Sequence, residues 1–271
     1  MIAWLHLTAL LLYAAAAVLM WISFAREAGK LPAVASIVLA GALALHTAAL
    51  VTFAVQWREL PLVGFGPSLS TLAYLVGLGT LIAATLGRAR TVGLVLIPVP
   101  TVLLAVATTV GVHSTRETLP FRNTWFVLHV VFAFVGYVGL TVAFAAGLMY
   151  LLQFRQLKSK RFGAIFRFFP PLDTLDQLGR RGLLIGFPFL TLAMLVGWAW
   201  MTRFNGAVQA RSTELVWGVL SWLVFVAALA ARTGGGRRGH RGALASVIGF
   251  VLVVLIYVVL RVQATHGGAF L

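Results

Sequence analysis

Six histidines are the side chains of this sequence best suited to chemistry, and two of them, His129 and His266, fall at the same end of a series of apolar segments. A neutral imidazole offers one ring nitrogen to a metal, so two that converge can hold a metal ion or take both axial positions of a heme iron. His129 closes the run Trp125-Phe126-Val127-Leu128-His129, and Tyr137 follows eight residues later. On a helix these three share one face, one and then two turns apart. An aromatic flank beside an imidazole suits a flat apolar macrocycle, although tryptophan and tyrosine also form ordinary interfacial belts. His46 lies inside an apolar segment, where burial without a partner costs several kcal/mol. It must face a ligand or, as a core histidine, a neighbouring helix. His6 and His113, near segment ends, read as interfacial polar tips, and His240 reads as a solvated loop residue.

Other chemistries find little support. The chain has no cysteine, which excludes thiolate metal sites, disulfides and covalent c-type heme attachment on this chain. Asp173 and Asp176 resemble an acid pair but sit where a helix starts, a favourable place for carboxylates near Arg180 and Arg181. The glycine-rich run 234–242 lacks the Gly-Lys-Ser/Thr ending of a phosphate loop and reads as a flexible turn. With no nucleophile, acid pair or phosphate loop, the sequence does not suggest an enzyme.

The elements that must position the histidines are membrane helices. Hydrophobic residues make up 61% of the chain, charged residues 10%, and the mean hydropathy is +0.99. A span needs about 20 apolar residues, and that criterion predicts eight, near 3–24, 33–55, 68–86, 91–112, 124–153, 182–201, 214–231 and 243–263. The expected fold is an all-α polytopic membrane protein, a single integral membrane domain over 1–271. The first segment lacks a basic leader and a small-residue cleavage site and is expected to stay as a helix. The net charge of +15 does not point to nucleic acid, because the basic residues segregate. Arg26, Lys30, Arg88, Arg90, the seven from Arg155 to Arg181, Arg232, Arg237, Arg238 and Arg241 fall on one side. Arg58, Arg116, Arg122, Arg203 and Arg211 fall on the other, and Arg261 lies near the end of the last span. The positive-inside rule then places both termini outside, with anionic lipid as a contact of the basic face.

Between the fifth and sixth spans, Lys158, Lys160, Arg161 and Arg167 mix with Phe162, Ile165, Phe166, Phe168 and Phe169, a composition for the membrane interface. After Pro170 and Pro171, Leu172, Leu175 and Leu178 predict a short amphipathic turn leading into the sixth span. Pro98, Pro100 and Pro188 predict kinks. No internal repeat is evident, which weakens an inverted-repeat transporter.

Several of these segments together resemble a known family. The stretch from Phe169 to Leu192, with Pro170, Pro171, Leu172, Asp173, Asp176, Gly182, Gly186 and Phe187, is similar to the signature of the cytochrome c assembly superfamily (CcsA/ResC/CcmC-like). Trp125, His129 and Tyr137 match the spacing around that family's first external heme-ligand histidine, 241–250 resembles the start of its last helix, and His266 falls where the second histidine is expected. The likeness covers about 122–268, a cytochrome c assembly-like core. Two departures stand out. The segment 202–211 has neither the tryptophans nor the acids of the family's external heme-holding loop, although Trp198, Trp200, Trp217 and Trp222 border it. Arg232 and its neighbours offer no histidine near the cytoplasmic end of the seventh span, which leaves His46 as half of any transmembrane pair. The short, eight-span form resembles most the YpjD and HemX branch.

The resemblance implies a multi-pass protein of the bacterial cytoplasmic (inner) membrane that binds a non-covalent b-type heme through His129 and His266. Trp125 and Tyr137 would flank the macrocycle, and Arg122 or Arg261 would pair with its propionates. Lacking the tryptophan platform, the chain is expected to bind or sense heme, or to support assembly, with a membrane partner of heme or cytochrome c biogenesis. Two alternatives remain. One is a HemX-like regulatory or accessory subunit without heme transfer. The other is a small-molecule transporter using His46, the kinked helices and Glu214.

Overall fold

The computed structural model describes residues 1–26, 30–86, 89–114, 124–160, 163–204, 213–232 and 238–267, with the side chains of 204, 213, 214, 238, 258 and 260–267 outside the description. The described chain is helical, without a strand. Its helices are α1 (Ile2–Arg26), α2 (Leu31–Trp57), α3 (Phe65–Thr85), a 3-10 turn at Arg90–Val92, α4 (Gly93–Leu96), α5 (Pro98–Val110), α6 (Thr124–Lys158), α7 (Ala164–Phe168), α8 (Leu172–Phe204), α9 (Thr213–Ala230) and α10 (Arg238–Gly267). Seven of the eight apolar stretches each coincide with a single helix, and the fourth covers the 3-10 turn, α4 and α5 together. Among the described residues, seven helices are long and apolar enough to cross a membrane, counting Arg90–Val110 as one, and Leu215–Ala230 is a shorter apolar helix. Their outward faces are as apolar as their inner ones: Trp4, Leu7, Leu11, Val18 and Trp21 on α1 are all exposed. Such a surface belongs in lipid.

The contacts divide the chain into two compact units, 1–117 with 149–178, and 118–148 with 179–271. In the first, three helices bury strict seams of alternating three- and four-residue steps. On α1 the seam is Ile2, His6, Ala9, Tyr13, Ala16, Met20 and Ser23. On α2 it runs through Pro32, Ala35, Leu39, Ala42, His46, Ala49 and Phe53, and on α3 it includes Gly66, Ser70, Ala73, Gly77 and Thr80. This repeat is the packing code of helices that cross at a shallow angle, and its many alanines and glycines let backbones approach where hydrophobicity supplies no drive between helices. His6 and His46 thus occupy seam positions. Gly77 does the same for a side chain: a Cβ there would lie 2.7 Å from the Tyr13 hydroxyl.

At the end of this unit, α7 is short and is capped from α6, where the Gln156 side-chain oxygen accepts from the backbone N–H groups of Gly163 at 3.3 Å and Phe166 at 3.1 Å. Phe168 then sets its ring edge-on to Phe24 at 5.4 Å. The amphipathic turn expected over 172–178 is the start of a continuous 33-residue helix, α8, with Asp173 in its first turn. Pro188 sits inside α8 without ending it, whereas at Pro98 the helix divides into α4 and α5. The glycine-rich turn expected through 242 is shorter, because α10 already begins at Arg238 and carries His240, half-buried, in its first turn.

In the second unit, α6 and α8 run antiparallel in backbone contact. A Cβ on Gly139 would collide with the Gly182 carbonyl and come within 2.8 Å of Gly186 Cα, and one on Gly186 would lie 2.9 Å from the Gly136 carbonyl. Gly218 on α9, by contrast, faces open space. Gly139→Ala is therefore expected to force the helices apart and to cost about 1–3 kcal/mol, the usual range for overpacking, while Gly218→Ala should be neutral or slightly stabilising. Thermal unfolding in detergent should show the first substitution several degrees below wild type and the second level with it.

Candidate functional site

His129, in the second turn of α6, is held by α8. Its Nδ1 lies 2.8 Å from the carbonyl oxygen of Ala193. A carbonyl only accepts, so Nδ1 carries the proton and the lone pair of the neutral ring sits on Nε2. Nε2 has no hydrogen-bond partner among the described residues. A histidine whose outer nitrogen is tied to a backbone carbonyl while the other stays free is oriented as metal-ligating histidines are. The ring fits because residue 197 is glycine: a Cβ there would lie 2.5 Å from Nδ1 and 2.7 Å from Cε1.

Aromatic side chains surround this part of the unit. Trp125, one turn before His129, is 50% exposed, leaving its ring open to a ligand or to lipid. Phe126 meets Trp200 at 5.5 Å. Tyr137 is less open than the sequence suggests, since its ring packs on Trp217 at 4.9 Å. Trp217 in turn meets Tyr257 at 5.5 Å and donates its indole N–H to the Val253 carbonyl at 3.4 Å. Trp222 donates to the Thr191 hydroxyl at 3.0 Å and packs on Phe187. Trp217 links α6, α9 and α10 and is the side chain here that sequence reasoning treated only as a neighbour of the loop.

The helix register relates His129 to His266. Phe144 on α6 stacks on Phe250 of α10 at 4.3 Å, and a Cβ on Gly147 would meet Ala243 and Val247, so the two helices run antiparallel. Stepping fifteen residues back from Phe144 reaches His129, and fifteen on from Phe250 reaches 265, with α10 continuous through Gly267. The backbones of His129 and His266 therefore lie at about one depth. The side chains of His266 and Arg261, the whole of Arg122, and the segment 205–212 lie outside the described residues.

His46 belongs to a different cluster, in the first unit. Its Nε2 lies 3.0 Å from Ser70 Oγ and its Nδ1 3.3 Å from Tyr13 Oη. Both ring nitrogens are engaged by protein, so in this arrangement His46 offers no free lone pair to a metal and the core reading fits. His6 differs from the interfacial tip expected of it: it is 1% exposed, with Nε2 3.0 Å from the same Ser70 Oγ and Nδ1 3.0 Å from the Ile2 carbonyl. His113 is exposed, as expected. Ser70 and Tyr13 carried no signal of their own, though matching seven-residue spacings along the two seams set Ser70 against His6 and Gly77 against Tyr13.

The pattern of the family described as "Cytochrome C assembly protein" matches residues 3–266. The chain belongs to this family. The match extends far to the N-terminal side of the 122–268 core in which motifs were legible. Among similar proteins are those named "Cytochrome c biogenesis protein CcsA" from Chlamydomonas reinhardtii, 28% identical over 136 residues, and from Guillardia theta, 28% identical over 151 residues. These alignments take in 50% of this chain, and 37% and 50% of the relatives' own lengths. The protein of the same name from Synechococcus elongatus is 25% identical over 250 residues, covering 74% of this chain and 77% of that protein.

The family membership makes the His129 cradle worth testing directly. Gly197→Ala should displace the imidazole, break its bond to the Ala193 carbonyl and free the ring to rotate. Loss of such a supporting partner typically weakens metal binding about 10- to 100-fold. Titration of the purified protein with heme, followed by absorbance, should show that weakening for Gly197→Ala and none for Gly218→Ala.

Proposed function

We propose that this protein handles heme in membrane-bound cytochrome c biogenesis, binding a non-covalent, b-type heme between His129 and His266 on the outer face of a bacterial cytoplasmic membrane. The observation that carries the reading is the fixed tautomer of His129: Nδ1–H on the Ala193 carbonyl, and Nε2 without a partner among the described residues. The antiparallel register of α6 and α10, which levels the two histidine backbones, supports it, as does membership of the family. Heme iron between two imidazoles is six-coordinate, with a potential set by those ligands and by burial. The chain's own part is to orient His129, to present Trp125 beside it and to supply apolar cover. Arg122 and Arg261 are the proposed propionate partners. No cysteine is present to trap the heme covalently, so bound heme stays exchangeable. We read the protein as a carrier or sensor without catalysis of its own, acting with a membrane partner. The alternatives are a HemX-like accessory subunit, favoured by the plain composition of 202–211, and a small-molecule transporter.

The decisive experiment is the visible spectrum, oxidised and reduced, of protein purified after expression with heme supplied, beside His129→Ala and His266→Ala. A low-spin bis-histidine spectrum lost in both variants is the expected result. A colourless, folded wild type would sink the heme reading and leave the accessory one. The topology is testable separately. Because the chain has no cysteine, single cysteines placed at His113 and at Lys158 report alone. A membrane-impermeant maleimide should label His113→Cys in intact cells and Lys158→Cys only after lysis; the reverse pattern would place both proposed heme ligands inside.

A further inference from the structure

We propose that Tyr13, His46, Ser70 and His6 form a buried site that binds one proton and shares it between the two imidazoles through the Ser70 hydroxyl. The inference is independent of heme binding at His129.

The geometry defines the resting state of this chain of hydrogen bonds. His6 Nδ1 lies 3.0 Å from the Ile2 carbonyl, which only accepts, so His6 carries its proton there and presents a lone pair at Nε2. Ser70 must then donate its hydroxyl proton to His6 Nε2, at 3.0 Å. With that proton committed, Ser70 Oγ accepts from His46 Nε2–H, again at 3.0 Å. His46 Nδ1 is left with its lone pair and accepts from the Tyr13 hydroxyl at 3.3 Å. One backbone carbonyl thereby orders every proton from Tyr13 to Ile2, and both rings are neutral with opposite tautomers.

Adding a proton reverses the order without moving a heavy atom. If Tyr13 passes its hydroxyl proton to His46 Nδ1 and regains one from its surroundings, His46 releases its Nε2 proton to Ser70 Oγ. Ser70 in turn gives up its original proton to His6 Nε2. Each acceptor gains one bond to hydrogen and each donor loses one, and the net result is one proton taken up from the surroundings, with Tyr13, His46 and Ser70 neutral again and His6 an imidazolium. The bonds between the four groups now run from His6 Nε2–H to Ser70, from Ser70 to His46 Nε2, and from His46 Nδ1–H to the Tyr13 oxygen. A second proton has no place, because two imidazolium rings with centroids 5.5 Å apart would face each other without an anion.

The surroundings are consistent with a dedicated site. His6, His46 and Ser70 are all at most 1% exposed, and Tyr13 is fully buried. The titratable neighbour from α3 is Tyr74, edge-on to His46 at 5.6 Å, its hydroxyl donating to Thr47 Oγ1 at 3.2 Å while Thr47 donates to the Leu43 carbonyl. α4 and α5 contribute no titratable group. Arg26, Lys30, Arg90 and, on α7, Arg167 lie towards the other end of the unit, while the Met1 amino group, Arg58, Glu59 and His113 lie towards the His6 end. None of these is hydrogen-bonded to either imidazole among the described residues. Gly77 keeps the Tyr13 hydroxyl in place, since a Cβ there would strike it.

Nitrogen-15 NMR of histidine-labelled, full-length protein in lipid bilayers reads protonation at each ring nitrogen, with His6 and His46 assigned by single replacement with glutamine. At neutral pH the expected pattern is His6 protonated at Nδ1 and His46 at Nε2. As pH falls, both rings should change together with a single midpoint and an uptake of one proton for the pair. In Ser70→Ala the shared midpoint should split into two. In Tyr13→Phe, which keeps the ring and loses only the hydroxyl, the Ile2 carbonyl still sets both tautomers at neutral pH, but His46 Nδ1–H in the protonated pair loses its acceptor, so the shared midpoint should fall to lower pH, giving a second readout where Ser70→Ala does not fold. Fixed tautomers across the whole pH range in which the protein stays folded would overturn the proposal, as would two independent midpoints in wild type or an unmoved midpoint in Tyr13→Phe.

Discussion

Inside hydrocarbon a polar atom must find its partner within the protein, and nearly every local feature of this chain answers that constraint. It selects helices, whose backbone groups are satisfied internally. It also explains where the hydroxyls go: Thr47, Thr80, Thr101, Thr141, Thr191 and Ser246 each donate back to the carbonyl four residues earlier on their own helix. A hydroxyl treated this way keeps an acceptor lone pair to spare, and Thr191 uses it to receive the Trp222 indole. Imidazole cannot solve the problem alone, because it has two polar atoms on opposite sides of the ring. Each histidine must therefore draw partners from two directions, and the number it finds separates a structural ring from one with capacity left for a ligand. His46 and His6 find two each; His129 finds one among the described residues.

The partners can be supplied only if helices approach closely, which makes small residues as consequential for the sites as the polar ones. Gly77 leaves the space that the Tyr13 hydroxyl fills, and Gly197 leaves the space that His129 fills. In both places a missing Cβ on one helix admits a polar side chain from another. The close contact of Gly136 and Gly139 with Gly182 and Gly186 fixes the separation of α6 and α8, and that separation sets the distance from His129 to the Ala193 carbonyl. Packing and chemistry are here the same set of positions.

How much of this was legible in the sequence depends on the kind of signal. The spans were legible because hydropathy alone defines them. His129 stood out because Trp125 and Tyr137 repeat along its helix face and because the signature after Phe169 identifies the family. The Tyr13–His46–Ser70–His6 cluster was not legible, since Ser70 is 64 residues from His6 and 24 from His46, and nothing local to a serine in an apolar helix announces its partners. His6 misled for a specific reason: proximity to a chain end suggests the interface, whereas its seam position, one heptad before Tyr13, buries it. The continuity of α8 through Leu172–Leu178 was hidden by the charges of Asp173, Asp176, Arg180 and Arg181, which read as a boundary.

The same contrast explains why the family match extends over 3–266 although ordered motifs were visible only from 122 onward. A seam of alanines with alternating three- and four-residue steps tolerates exchange among small apolar residues at most positions, so its signal is spread thinly over many residues and no single stretch is diagnostic. The second unit instead concentrates its constraint in a few side chains with narrowly defined surroundings: a histidine fitted between one carbonyl and one glycine, and a tryptophan that joins three helices. Dense signal marks where a small number of atoms must be placed, and diffuse signal marks where a surface must merely fit. The buried histidines of α1 and α2 are the exception inside the diffuse region. An apolar pair at those two seam positions would pack without needing Ser70 or Tyr13, so the polar pair brings a burial cost and four matched hydrogen bonds to a place where packing alone asks for neither.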